Sequence, residues 1–89
     1  MSQNVTEKYL KKYNELQKKR EVLANRYAEL EKLENELISN TKISDETRLA
    51  NLNKLAQEYE KVANLMKGVV EELEKLNTEI DKVLNEVDE

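Results

Sequence analysis

The sequence predicts an all-α fold in which two long helices pair antiparallel as a coiled-coil hairpin. Charged residues make up 38% of the 89 residues, the chain has one glycine and no proline, and its second half carries an apolar heptad repeat. This composition is typical of long helices, and a 3.5-residue apolar period keeps one stripe of a helix against its partner. Because so short a chain buries little surface alone, we expect the hairpin to complete a three- or four-helix bundle, with a partner or by self-association.

The second half of the chain carries the more regular repeat. Its residues at the two core positions of the heptad, a and d, are all apolar and are spaced alternately by three and four. This pattern predicts a helix over about 45–87. The core residues are Leu52, Leu55, Tyr59, Val62, Met66, Val69, Leu73, Leu76, Ile80, Val83 and Val87.

The first half carries a weaker repeat, which predicts a helix over about 3–38. Its d positions are all apolar or aromatic, whereas its a positions are half polar. The d residues are Tyr9, Leu16, Leu23, Leu30 and Leu37, and the a residues are Thr6, Tyr13, Arg20, Tyr27 and Glu34.

A turn is predicted over about 39–44, where the repeat fails. The segment 39–42 consists of turn-type residues, and Ser44 followed by Asp45 and Glu46 is typical of a helix N-cap with an acidic first turn. We therefore expect one hairpin domain over 1–89. Because the break holds neither glycine nor proline, one continuous helix with a four-residue stutter is the alternative.

The register of the hairpin follows if a residues of one helix face d residues of the other. Both helices then fit one alignment, in which partner numbers sum to about 82. It places Tyr27 opposite Leu55 and Leu16 opposite Met66.

Charges within the repeat are expected to fix this register and the choice of partner. The alignment places Glu34 opposite Arg48, so that two charges in the seam neutralise each other. On the g flank, formed by position g of both helices, it brings Arg26 near Glu58. Arg20, at a core a position, is expected to act as a polar layer that selects the pairing.

The e flank, formed by position e of both helices, carries a second apolar row that two helices leave uncovered. In the predicted register the C-terminal end also extends past the start of the first helix. Uncovered apolar strips usually mark interaction surfaces. The residues expected to bind a partner are Leu10, Ala24, Leu49, Ala56, Ala63, Val70, Ile80, Val83, Leu84 and Val87.

These features predict a non-enzymatic protein–protein interaction module, a small coiled-coil subunit or adaptor of a larger helical assembly. Its partners are expected to be helical proteins, in a hetero-complex or a homodimer. One alternative is a small helical chaperone that holds a client on the apolar strip. A less favoured alternative is binding of nucleic acid or a membrane surface through the basic half of the first helix. Residues 1–26 hold seven basic and three acidic side chains, which the acidic segment 71–89 can offset.

Composition also argues against several classes of function. The chain lacks histidine and cysteine, so we expect no enzyme activity, metal site, cofactor or small-molecule substrate. No apolar stretch approaches the roughly 20 residues of a membrane span, and the polar start Met1-Ser2-Gln3-Asn4 does not resemble a signal peptide. We expect a soluble, intracellular protein, cytoplasmic or nuclear.

Overall fold

The chain forms two long α-helices in a computed structural model that describes residues 2–88, and the side chains of residues 7–86. Helix α1 spans Ser2–Ser39 and α2 spans Asp45–Asp88, against predicted limits of about 3–38 and 45–87. The described residues contain no strand, which confirms the all-helical class. Neither described helix is long and apolar enough to cross a membrane.

Helix α2 begins at the N-cap that the sequence predicts. The Ser44 hydroxyl accepts a hydrogen bond from the backbone N–H of Thr47 at 3.1 Å, and the Ser44 carbonyl accepts one from the N–H of Arg48 at 3.0 Å. Asp45 and Glu46 lie in the first turn, where their negative charge complements the positive end of the helix dipole. Local side chains therefore fix the start of α2.

Helix α1 ends without glycine, and no described residue has a positive φ. Side chains satisfy its last carbonyls instead, which otherwise lack partners at a helix C-terminus. Ser39 donates its hydroxyl to the Asn35 carbonyl at 2.9 Å, and the Arg48 guanidinium donates to the carbonyls of Leu37 at 3.4 Å and Asn40 at 2.6 Å. The chain turns back here, so α1 and α2 are separate helices and not one continuous helix.

The two helices lie side by side and run in opposite directions. The molecule measures 67 × 15 × 13 Å, and 44 helical residues at 1.5 Å each account for roughly the whole of its length. Leu30 and Leu76 are the most deeply buried large side chains, each 1% exposed. A core cluster joins α1 to the C-terminal half of α2 and consists of Leu16, Val69, Leu73 and Leu76, with Tyr9, Leu23 and Ile80 packed against it.

The helices are rotated so that the d rows are buried more deeply than the a rows. In α1, the a residues Tyr13, Arg20 and Tyr27 are exposed. The cause is visible in the sequence, because the d row of α1 is apolar throughout whereas its a row is half polar, and burying a charge without a partner is unfavourable. The buried d residues are Leu16, Leu30, Val62, Val69 and Leu76.

This rotation changes the predicted register at Tyr27. Tyr27 contacts Tyr59 and not Leu55, and the ion pair of Arg26 with Glu58 is present as predicted. The numbers of Tyr27 and Tyr59 sum to 86, against the predicted 82 or so, whereas the pair of Arg26 and Glu58 fits the predicted alignment. At Tyr27 an a residue therefore meets an a residue. The predicted pairing of a with d is wrong at this position.

Candidate partner-binding surface

The predicted e-flank residues lie on the surface of the hairpin. The large ones stay substantially exposed, with Leu49 62%, Leu84 57%, Leu10 56% and Val70 40% accessible. The alanines of this row are exposed as well, namely Ala24, Ala56 and Ala63. Two helices alone leave this row in water, although the burial of each leucine is worth about 1.5–3 kcal/mol.

The C-terminal members of the predicted surface behave differently from the rest. Ile80 is half-buried and packs against the core cluster, and Val83 is also half-buried. Ile80 therefore packs within the hairpin and does not project past α1 as predicted. Val87 lies outside the residues whose side chains the structure describes.

An open groove of about 740 Å³ crosses both helices on the e-flank side. The rings of Tyr27 and Tyr59 meet in it edge to face, with centroids 5.2 Å apart and planes at 62°. The lining residues occupy positions a, b and e, so the e rows of α1 and α2 face the same side. They are Tyr27, Glu31, Glu34, Asn35, Ala56, Tyr59, Glu60 and Ala63.

Tyr59 lies in this groove, where burial and nearby acidic residues raise the pKa of its hydroxyl. The pKa of the Tyr59 hydroxyl is raised to about 12 from its ordinary 10.0. Partial burial is the main cause, and the hydrogen bond and negative charge of the Glu34 carboxylate come second. Glu34 belongs to α1 and Tyr59 to α2, so this contact joins the helices. It also holds a carboxylate at the edge of two aromatic rings.

Negative charges outnumber positive ones beside the e flank, although Arg20, at the adjoining position a of α1, is an exposed cation on this side. Position b borders position e on the outside of each helix, and the two positions together hold seven acidic residues and one basic residue, Lys67, within 7–86. None of these charges takes part in the ion pairs formed among the described side chains. The acidic residues are Glu7, Glu21, Glu31, Glu46, Glu60, Glu74 and Asp81.

The g flank, on the opposite side, has matched charges. Arg26 lies 3.7 Å from the Glu58 carboxylate and 3.2 Å from that of Glu29, and Lys61 lies 3.2 Å from Glu58. Positions c and g together hold eight basic and seven acidic residues within 7–86. The hairpin therefore neutralises most of this flank by itself.

Exposed apolar residues on the g-flank side were missed by the sequence prediction. Val22, Leu33 and Leu65 are all exposed. Leu33 lines an open cleft of about 380 Å³, and Val22 lines another of about 320 Å³. The heptad positions of Leu33 and Leu65, both g, were available in the sequence, but this flank was interpreted from its charges alone.

The predicted pairing of Glu34 with Arg48 is wrong. The Glu34 carboxylate lines the groove beside Tyr59, whereas Arg48 donates to backbone carbonyls at the end of α1 and lies 2.8 Å from Asp45. A guanidinium has several donors, and the free carbonyls of a helix end offer it several acceptors at once. The side chain of Arg20 is exposed, and its role in partner choice stays a prediction.

Among the described residues, no group of three side chains of the metal-binding types lies close enough to hold an ion. Comparison with known proteins adds no identity. No family model, curated protein or solved structure matches the chain significantly. The function of the chain is therefore inferred from the exposed surface of the hairpin.

Proposed function

We propose that this protein is a non-enzymatic protein–protein interaction module. In this proposal the two helices form a coiled-coil hairpin, and partner helices pack along the e flank to complete a three- or four-helix bundle. The protein would serve as a small subunit or adaptor of a larger helical assembly.

The exposed apolar row of the e flank is the observation that carries the proposal. Leu10, Leu49, Val70 and Leu84 each leave at least 40% of their surface in water. Burial of apolar surface contributes about 25 cal/mol per Å², so covering four such side chains yields several kcal/mol toward association. That gain must exceed the cost of lost rotational and translational freedom, which favours a partner that covers much of the row.

The small residues of the row favour a helix as the covering element. Ala24, Ala56 and Ala63 are exposed between the larger side chains. Helix axes approach to about 8 Å where the contacting side chains are small, against about 10 Å where they are large. Alternating small and large residues along the flank suit the ridges and grooves of another helix.

Matched double variants test the proposal. Leu49→Gln with Val70→Gln removes apolar side chains from the e flank, and Leu33→Gln with Leu65→Gln does so on the g flank. All four residues are exposed, so each substitution changes stability by no more than about 0.5 kcal/mol. The tagged chain is purified from cells of its source, and each protein bound in stoichiometric amount is identified by mass spectrometry.

We expect the e-flank variant to lose a stoichiometric helical partner that the wild-type chain and the g-flank variant retain. Mass in solution, measured over a dilution series, reports whether that partner is a second copy. Identical bound proteins for all three chains, together with a monomer whose helicity survives dilution, would contradict the proposal.

A further inference from the structure

We infer that the partner helix on the e flank carries lysine or arginine along both borders of its apolar stripe. This inference rests on the proposed function and adds to it the chemistry of the partner, which is an amphipathic helix of another protein. The difference between the two flanks of the hairpin is what points to it.

The e flank carries acidic side chains that the described part of the hairpin does not pair. The e flank and its bordering b positions hold seven acidic residues against Lys67, and no described ion pair involves any of them. On the g flank, by contrast, Arg26 pairs with Glu58 inside the hairpin. A helix lying along the e flank places its own borders beside these carboxylates, and electrostatic complementarity then requires basic residues there.

The groove on the e-flank side combines aromatic rings with carboxylates. The half-exposed ring of Tyr27 and the ring of Tyr59 line it together with the carboxylates of Glu31, Glu34 and Glu60. A cation over an aromatic ring is attracted by the negative ring face. A lysine or arginine of a partner helix can lay its apolar stem across the tyrosines and place its charged head among the carboxylates.

The same charges disfavour the other occupants of this flank. A symmetric dimer would bring the flank against its own copy, because a two-fold interface joins identical patches. That contact would place Glu31 and Glu60 beside another acidic border. Nucleic acid and anionic membranes carry the wrong sign for this flank, since both bind basic surfaces.

Two designed peptides test the inference directly on the full chain. Each is a helix of about 20 residues, roughly 30 Å long, with the same leucine and alanine stripe. One has lysine at every border position and the other has glutamate. Binding of the fluorescently labelled peptides is followed by anisotropy, at low and at high salt concentration.

Charge-reversed variants locate the binding on the e flank. Glu31→Lys with Glu60→Lys reverses two carboxylates of the groove, and Glu15→Lys with Glu36→Lys makes the same net change on the outside of α1. All four residues are exposed, and far-ultraviolet circular dichroism verifies that each variant keeps its helices. We expect the lysine-bordered peptide to bind at least about tenfold more weakly to the e-flank variant and nearly unchanged to the control.

Each other outcome overturns the inference in a recognisable way. Equal affinity for both peptides would refute the requirement for basic borders and leave the apolar e flank as a binding surface. Binding of neither peptide would refute it too, and the proposed function would then depend on the co-purification result alone. A dimer at low micromolar concentration that Val70→Gln dissociates would replace the basic helix by a second copy.

Discussion

Both flanks of this hairpin expose apolar side chains, but they differ in the charges that surround them. Leu49 and Val70 on the e flank are exposed, and so are Leu33 and Leu65 on the g flank. The g flank balances its charges across the helices, whereas the e flank keeps a nearly uniform acidic border. Exposed apolar side chains are therefore common to both flanks, and the charges beside them are what differs.

The rotation of the helices produces this asymmetry. Position a adjoins e and position d adjoins g around a helix. Burying the d rows moves the a residues of α1 outward, so that Tyr13 and Tyr27 widen the e-flank side. A half-polar a row thus converts a symmetric pair of helices into one with an open side.

The largest expected effect distinguishes the buried interface between the two helices from the two exposed flanks. Leu30→Ala empties a site that is 1% exposed, and we expect it to lower the free energy of unfolding by about 2–5 kcal/mol. Leu33→Ala, one turn away on the exposed g flank, should cost no more than about 0.5 kcal/mol. Urea unfolding followed by circular dichroism measures both. Equal losses would mean that the g flank belongs to the core.

Gly68→Ala tests whether the g-flank side faces solvent. A methyl group at Gly68 meets no atom within 4 Å, and alanine is favoured over glycine inside a helix by about 1 kcal/mol. We expect a more stable chain that retains its partner. Weaker association on the substitution would instead place a partner close to this side.

Charge reversal should act oppositely on the two flanks. Arg26→Glu replaces the partner of Glu58 and Glu29 by a third carboxylate, and we expect a loss of up to about 1 kcal/mol, reduced by added salt. Glu60→Lys relieves the acidic border and should leave the stability of the free chain unchanged or slightly higher. Thermal unfolding at two salt concentrations compares the variants. A loss with Glu60→Lys equal to that with Arg26→Glu would remove the contrast between the flanks.

The smallest expected effect concerns the pH dependence of the e flank. The folded chain holds Tyr59 protonated up to a pKa of about 12, above the ordinary 10.0, so this stabilisation is complete below pH 10 and is lost as pH rises toward 12. The unfolding midpoint of the wild-type chain should fall as the pH rises from 10 toward 12. Tyr59→Phe should remove the part of this fall that is due to Tyr59. It should also remove one phenolate transition near pH 12 from the ultraviolet titration. An unchanged titration would contradict the contact with Glu34.

Much of the fold could be predicted from the sequence because helices leave local signals. The apolar period and the turn-type residues located two helices, and Ser44 was recognisable as a cap that the structure shows bonded to Thr47. The e flank was predicted from the same periodicity. The exposure of its large residues agrees with that part of the surface prediction.

The register and the asymmetry of the flanks could not be predicted in the same way. The predicted alignment placed Glu34 opposite Arg48, whereas Arg48 in fact donates to the carbonyls of Leu37 and Asn40. Backbone acceptors at a helix end are absent from any pattern of side chains. The rotation that exposes Tyr27 depends on the difference in polarity between the whole a row and the whole d row of α1. No single pair of residues reveals that difference.

The Arg48 contacts depend on the turn between the two helices. No residue of the turn has a backbone conformation that resists straightening, since no described residue has a positive φ. In one continuous helix, Leu37 and Arg48 are 11 positions apart and would be separated by roughly 16 Å, so both carbonyl bonds would be lost. These two bonds therefore exist only while α2 folds back on the α1 of its own chain, so Arg48 links the geometry of the turn to the end of α1.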